Sequence, residues 1–347
     1  MSLLRPVLGV LGLTQIRHVS AVRRGRATGM VAQVYRQMER DFGVLAPPIA
    51  LHSPAPPTLA AAWTLLREVL IVGGTAPRAA KEAVATAVSL GNACPYCATI
   101  HNNALTVLGA PGVESAEGGP ELGAFADWVL SAQNPGAAVA PPFPAEQTAE
   151  LVGVAVLLHY LNRVVNVLLR DVPLPPGVPE LALSPVLWVL GRGMLAASRR
   201  THVPGRALVL LPAAELPTDL AWAAGNESVA DAFARACAAI DEAGRRSVPE
   251  PVRALVLDNL SGWRGGLRGI SRSWVEDLVA VLPEGQRAAG RLTLLVAFAS
   301  YQVDAGVVRG CREAGADDGA LVEMCSWAAM AAARQVGGAL PLPGAAR

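Results

Sequence analysis

The chain has 347 residues, enough for one large domain or two of ordinary size with an extensive apolar core. Hydrophobic residues make up 52% of the sequence and charged residues only 16%, a balance that suits packed helices. The formal net charge of +1 at pH 7 gives no basis for a concentrated basic face, so a nucleic-acid partner is not expected.

Residues 1–30 are interpreted as an N-terminal arm. The apolar start, MSLLRPVLGVLGL, is too short to span a membrane and is followed by basic residues rather than by a small-residue cleavage site. The local basic run at Arg23, Arg24 and Arg26 is explained by a solvated arm. We therefore predict no signal peptide and expect a cytosolic (cytoplasmic) protein.

Apolar residues recur at helical spacing along most of the chain, and alternating strand patterns are scarce. Proline-rich breaks at 45–57, 134–144, 171–180 and 200–205 separate the helical stretches. The sequence therefore predicts an all-α protein. In chain order, its helices are expected near 28–42, 58–72, 78–91, 95–108, 120–133, 145–170, 184–198, 228–243, 250–260, 270–281, 285–313 and 317–336.

The most apolar stretch is LVGVAVLLHYLNRVVNVLL, at 151–169, and it is nearly long enough to cross a membrane. It contains His159, Asn162 and Arg163 near or beyond its middle. An arginine that faces lipid is costly, so a helix buried in the protein core is the better interpretation. No membrane partner is expected.

Two segments resemble each other at a constant offset of 206 residues: 77–133, here named the first copy, and 283–336, the second copy. Their apolar positions largely agree, which predicts two related helical units with the same helix directions. We expect one unit over 31–175 and a degenerate one over 176–347. In the second copy, Ser300 stands in place of Cys94, Val303 of Cys97, Val307 of His101 and Ala288 of Glu82.

The chain has five cysteines, and their pattern does not resemble a secreted disulfide framework. Cys237, Cys311 and Cys325 each stand alone in an apolar helical context, which predicts buried, inert thiols. Cys94 and Cys97, here named the dithiol, are three residues apart. Only this pair has a spacing that suggests chemistry.

The dithiol falls at a predicted helix start, because Pro95 suits the first helical position and makes Cys94 the N-cap. The positive end of the helix favours thiolates. Helical spacing also places the two Cα atoms roughly 5 Å apart, within the disulfide range. We therefore predict a reversible Cys94–Cys97 disulfide. His101 lies four residues after Cys97 on the same helix face, where its imidazole can accept the thiol proton.

Two other interpretations of this motif are weaker. The pair can simply pack, or it can belong to a zinc knuckle, which needs a fourth ligand beyond the dithiol and His101. His52, His159 or His202 would supply that ligand only by long-range coincidence. No metal is therefore expected. The chain also lacks a glycine-rich strand-to-helix turn, and nothing in it indicates haem, flavin or nicotinamide, so no cofactor is expected.

The segment KEAVATAVSLGNACPYCATIHNNALTVLG resembles the active-site segment of the alkyl hydroperoxidase AhpD-like family, in the carboxymuconolactone decarboxylase superfamily. Members show a Glu, then a CxxC whose first Cys lies twelve residues later, and then a His four residues after the second Cys. In this chain Glu82 and His101 stand at those spacings from the dithiol. HYLNRVVN, at 159–166, is similar to a downstream family helix. The close match covers about 30 residues, with a looser likeness over 31–170 and an echo over 270–340.

The resemblance implies an all-helical fold and thiol-dependent reduction of organic hydroperoxides. It assigns Cys97 as the nucleophile, Cys94 as the resolving thiol, His101 as the base and Glu82 as the distal member of a proton relay. Without the resemblance, Glu82 would be interpreted as a surface residue of the preceding helix. For Tyr96, a position in the lining of a pocket and an exposed position are equally plausible. The implied partners are a hydroperoxide and a dithiol protein or lipoyl-type reductant.

The family's usual oligomers make a homo-oligomer possible, but the doubled length suggests that the second copy replaces a subunit as an internal packing partner. Two other functions stay open. A lactone decarboxylase of the kind that names the superfamily has no need of a redox dithiol. A non-catalytic redox-responsive or scaffold protein would carry the dithiol as a relic.

Overall fold

The computed structural model describes residues 12–108, 120–133, 136, 138–174, 191 and 200–344. Across these residues the regular structure is helical, and β pairing is limited to one isolated antiparallel bridge between Ile16 and Leu169. The all-α prediction is confirmed. The predicted helix at 184–198 and the first residues of the arm lie outside the described residues.

The N-terminal half contains seven of the described helices. Prolines set several of their starts, because a proline at the first helical position loses no hydrogen bond. The third helix continues into a π-helical turn, Leu66–Ile71. The helices are α1 Gly29–Asp41, α2 Pro47–Ala50, α3 Pro56–Leu65, α4 Arg78–Gly91, α5 Pro95–Val107, α6 Pro120–Ser131 and α7 Thr148–Leu168.

The C-terminal half contains six more described helices, and short 3-10 turns precede the fourth and fifth of them. They are α8 Glu227–Ser247, α9 Glu250–Leu260, α10 Ser273–Val279, α11 Arg287–Ala299, α12 Ala305–Glu313 and α13 Asp318–Gly337.

The single helix predicted over 285–313 is wrong. A 3-10 turn, Ser300–Gln302, follows α11, and Val303 is extended before α12 begins. The carboxylate of Asp304 accepts hydrogen bonds from the amides of Gly306 and Val307, so it caps a new helix. Capping at Asp304 competes with helix continuation, and apolar periodicity alone does not reveal this competition.

Helix α7 is the central element of the fold, and all of its residues from Ala149 to Leu168 are buried. It packs against α4 of the first copy and against α11 and α13 of the second. Gly337 lets α13 approach closely, because a Cβ there would lie 2.4 Å from Val156 Cγ2. The stretch 145–168 has the length and hydropathy of a membrane span, but its apolar window is wholly buried by the rest of the chain.

The helices of the two copies follow the same order. In the first copy α4 packs against α5 and α6, and in the second α11 packs against α12 and α13. At the offset of 206 residues, α5 and α12 end at the equivalent residues Val107 and Glu313, and α6 and α13 end at Ser131 and Gly337. Superposition of the copies, and the division of the chain into units over 31–175 and 176–347, stay predictions.

Candidate functional site

Helix α5 begins where the sequence predicts, with Cys94 at the N-cap and Pro95 at the first helical position. The amide of Cys94 donates to the carbonyl of Ser89 at 2.9 Å, which closes the turn after α4. Ala93 in this turn has φ +49°, a left-handed conformation that is unusual for a residue with a Cβ. Within the described part of the chain, no side chain caps α5.

Both thiols of the dithiol are free and buried, with Cys94 1% and Cys97 4% exposed. A side-chain hydrogen bond with Cys94, together with burial, raises the pKa of Cys97 well above its ordinary value. This direction is opposite to the effect expected from the helix N-terminus. The neighbouring sulfur and the loss of water both favour the neutral thiol. Cys97 therefore needs a base before it can act as a nucleophile.

The candidate base is anchored by a buried carboxylate. His101 Nδ1 lies 2.6 Å from Glu82 Oε2, and the other oxygen of Glu82 accepts from Arg78 Nε at 2.8 Å. Glu82 is fully buried, so the interpretation of this residue as a surface Glu is wrong. Burial alone raises the pKa of Glu82, but the charges and hydrogen bonds of Arg78 and His101 outweigh it and lower the pKa to about 2.

This contact fixes the orientation of the imidazole. An ionised carboxylate only accepts hydrogen bonds, so the proton of His101 in this contact is on Nδ1 and Nε2 is left for proton transfer. The His101 side chain keeps 11% of its surface exposed, which connects it to solvent. Among the described residues, no hydrogen bond joins His101 to Cys97, although the two are one turn apart on α5.

Tyr96 lies between the two cysteines in sequence and is buried in the structure, with 5% of its surface exposed. Burial, and then the proximity of Cys97 and Cys94, raises the pKa of its hydroxyl. The alternative of an exposed aromatic is therefore wrong. Tyr96 helps to exclude water from the dithiol.

The chain is 36% identical over 334 residues to the alkyl hydroperoxide reductase Rv2159c of Mycobacterium tuberculosis (strain ATCC 25618 / H37Rv). The match spans 93% of this chain and 94% of that protein. The chain belongs to this alkyl hydroperoxide reductase family. A scan against family models and a search of solved structures find no match. Membership of the AhpD-like family in particular stays a prediction.

Two cations next to the site, the partly exposed Arg78 and the buried Lys81, were not predicted from the sequence. Arg78 holds Glu82 from one turn earlier, and the Arg–Glu spacing of four residues in PRAAKE was a readable signal for that pair. Lys81 forms a buried ion pair with Glu150 at 2.7 Å and donates to the carbonyls of Val69 and Val72. This long-range ion pair connects α4 to the start of α7, and no local sequence pattern predicts it.

The turn over residues 89–94, which carries Cys94, is here named the dithiol turn. Next to it, helix α7 has a row of buried polar side chains, here named the α7 seam: His159, Asn162, Arg163 and Asn166. Only one ring nitrogen of His159 has a hydrogen-bond partner among the described residues. His159 Nδ1 lies 3.1 Å from the side chain of Asn92, whereas Nε2 has no hydrogen-bond partner in the part of the chain that the structure describes.

Among the described contacts, none joins the other three cysteines or His52 to the dithiol. Cys237, Cys311 and Cys325 are buried as predicted, and burial raises the pKa of each, to about 12 for Cys237 and about 11 for Cys311. His52 Nε2 contacts the hydroxyl of Tyr160 at 2.9 Å. The described residues contain no group of three or more His, Cys, Asp or Glu arranged to hold a metal ion.

Proposed function

We propose that the protein is a thiol-dependent peroxidase that reduces organic hydroperoxides through a dithiol/disulfide cycle of Cys94 and Cys97. The observation that carries the proposal is the juxtaposition of a free, buried dithiol with a histidine anchored by a buried glutamate. The named activity of the relative from Mycobacterium tuberculosis supports the same reaction class.

In the first step, His101 Nε2 takes the proton of Cys97 as the hydroperoxide enters. The Cys97 thiolate attacks the terminal peroxide oxygen, the O–O bond breaks, and the departing alkoxide takes the proton and leaves as an alcohol. Cys97 is then a sulfenic acid. The raised pKa of Cys97 makes this proton transfer necessary, because only the thiolate is nucleophilic.

In the second step, the Cys94 sulfur attacks the Cys97 sulfur, water leaves, and the disulfide forms. A dithiol protein or a lipoyl-type dithiol then reduces this disulfide and becomes oxidised itself. The closeness of Cys94 and Cys97 in the reduced state supports closure without a large backbone movement.

One competing function has a specific observation in its favour. Cys97 is 4% exposed and its pKa is raised, as expected for a redox-responsive or relic dithiol without turnover. A lactone decarboxylase would leave the dithiol and its buried relay without a role.

The test is hydroperoxide consumption by the reduced protein with dithiothreitol as the reductant, combined with mass mapping of the cysteines. We expect repeated turnover and a Cys94–Cys97 disulfide after peroxide treatment. A protein that keeps both thiols free, or joins Cys94 to another cysteine, would rule out the cycle. A disulfide that forms without sustained turnover would favour the redox-responsive alternative.

The proposed function includes a cellular location and a role for the second copy. We place the protein in the cytosol, where reduced dithiols are available to regenerate it. We also propose that the second copy, packed on α7, takes the place of a second subunit.

A further inference from the structure

The turn that carries Cys94 is held from outside by the α7 seam. The amide nitrogen of the Asn166 side chain donates to the backbone carbonyl of Asn92 at 3.1 Å. The side chain of Asn92 contacts His159 Nδ1 at 3.1 Å. Within the turn, Cys94 donates to Ser89, and the hydroxyl of Ser89 donates to Asn162 Oδ1 at 3.2 Å.

The backbone of this turn needs such support. Ala93 has φ +49°, and a left-handed conformation costs an alanine roughly 1–2 kcal/mol. Such a conformation persists only when neighbouring contacts over-determine it. The contacts of Asn166 and His159 to Asn92 lie directly before this strained residue. They therefore fix the position from which the Cys94 side chain leaves the backbone.

The same seam reaches the second copy. The Asn166 amide nitrogen lies 3.0 Å from Ser300 Oγ, and Arg163 Nε donates to the carbonyl of Ala297 at 3.0 Å. Arg163 also donates to the carbonyl of His159 at 2.6 Å, one turn earlier in the seam. Ser300 is the residue that stands in place of Cys94 in the second copy. The second copy thus contacts the residue that holds the dithiol turn.

His159 takes part as an acceptor. The guanidinium of Arg163 can only donate, and its Nη1 lies 3.3 Å from His159 Nδ1, so this nitrogen carries no proton. Burial, and then the charge of Arg163, lowers the pKa of His159 well below its ordinary value and keeps the ring neutral. A neutral ring can accept from Asn92.

We propose that Asn166 is a positioning residue for the resolving thiol, that Ser300 of the second copy braces it, and that Arg163 ties the α7 seam to Ala297 of the second copy. Asn166 keeps Cys94 within reach of Cys97 and therefore sets the rate of disulfide formation, not the rate of attack on the peroxide. This inference rests on the proposed dithiol cycle. Cys97 sulfenic acid has two fates: condensation with Cys94, or oxidation by a second peroxide to sulfinic acid. Loosening the turn favours the second fate.

The experiment compares Asn166→Ala and Ser300→Ala with a matched control, Ser326→Ala. Ser326 is equally buried in the second copy and faces α7, but its hydroxyl contacts Tyr160 instead of the dithiol turn. Each reduced, folded variant is mixed with one equivalent of tert-butyl hydroperoxide. Sulfenic acid is trapped on Cys97 over time, and the disulfide is quantified by mass mapping.

We expect Asn166→Ala to form sulfenic acid within about twofold of the wild-type rate and the disulfide about tenfold more slowly, since small misplacements of reacting groups cost that much or more. Excess peroxide should give more sulfinic acid on Cys97. Ser300→Ala should shift the same ratio less, and Ser326→Ala not at all. Equal slowing of both steps, or an unchanged ratio, overturns the inference. If Asn166→Ala does not fold, an unchanged ratio in Ser300→Ala overturns it.

A second arm separates this inference from the proposed function. Oxidised dithiothreitol closes the Cys94–Cys97 disulfide by thiol–disulfide exchange and needs no peroxide chemistry. A wild-type protein that ignores hydroperoxide but closes this disulfide faster than Asn166→Ala would remove the peroxidase proposal and keep the positioning role. Equal closure rates in the two proteins would remove the positioning role.

Discussion

The starts of α5 and α12 differ in the group that faces the first helical amides. Helix α12 has Asp304 as its N-cap, and the carboxylate accepts from two amides of the first turn. Helix α5 has Cys94 in that place, and in the described part of the chain its first amides have no side-chain acceptor. The first copy thus leaves the positive helix end to the dithiol, and the second neutralises it with a fixed carboxylate.

The residues at the positions of Glu82 and His101 also differ between the two copies. Glu82 and His101 form a buried pair, whereas Ala288 and Val307 stand in the equivalent places. Burying polar groups is costly unless they are paired, so the first copy needs the pairing of Glu82 with His101, and the apolar residues of the second copy need none. The two copies thus share the order of their helices, and only the first has the polar side chains of the candidate site.

The largest effect on activity is expected from replacing the two cysteines of the first copy. Cys97→Ser should abolish hydroperoxide consumption, and Cys94→Ser should allow one turnover and leave a trapped sulfenic acid on Cys97. Peroxide consumption and a sulfenic-acid probe provide the measurement. Cys311→Ser, an equally buried thiol of the second copy, is the matched control and should stay active. Labelling of Cys94 in Cys97→Ser, with no label in Cys94→Ser, would reverse the two roles.

Removal of the base is the next largest change. His101→Ala should slow sulfenic acid formation by roughly 10²–10⁴-fold, the usual span for a lost general base. Val307→Ala, the equivalent change in the second copy, should leave this rate unaltered. Single-turnover kinetics of both variants give the comparison. Equal rates for His101→Ala and the wild type would show that the proton leaves Cys97 by another route.

Acid stability should report on the Glu82 pair. The folded pKa of about 2 lies below the ordinary 4.5, so the ionised carboxylate stabilises the fold above pH 4.5 and this stability is lost between pH 4.5 and 2. The shift corresponds to about 3 kcal/mol. Asp41 also has a pKa lowered to about 2, so the wild-type curve alone does not isolate Glu82.

The measurement is therefore the difference between wild type and Glu82→Gln in the free energy of unfolding, followed from pH 7 to pH 2. We expect this difference to shrink by about 3 kcal/mol on acidification. A difference that stays constant with pH would mean that Glu82 is not ionised in the buried pair.

The smallest effect tests the cap of the second copy. Asp304→Ala should lower the free energy of unfolding by about 1 kcal/mol, because two amides lose their acceptor. Asp304→Asn keeps a capping oxygen and loses only an exposed ion pair with Arg272, so it should be nearly neutral. Thermal or denaturant unfolding measures both. An equal loss in the two variants would show that the ion pair, and not the cap, stabilises α12.

The local features of the site could be predicted from the sequence. Pro95 fixes where α5 starts, and helix geometry fixes the spacing of Cys94, Cys97 and His101. The break at Ser300 was not predicted, because the apolar period continues through it and periodicity takes no account of the local cap that Asp304 forms with the amides of Gly306 and Val307.

The sequence by itself determined the all-helical class, the position of the dithiol at a helix start and the face shared by Cys97 and His101, since these follow from interactions within a few residues. Only the tertiary structure decided the burial of Glu82, its pairing with His101 across two helices, and the contact of Asn166 with Asn92 and Ser300. These contacts join residues 19 to 134 positions apart, and the packing of α4, α5, α7 and α11 creates them.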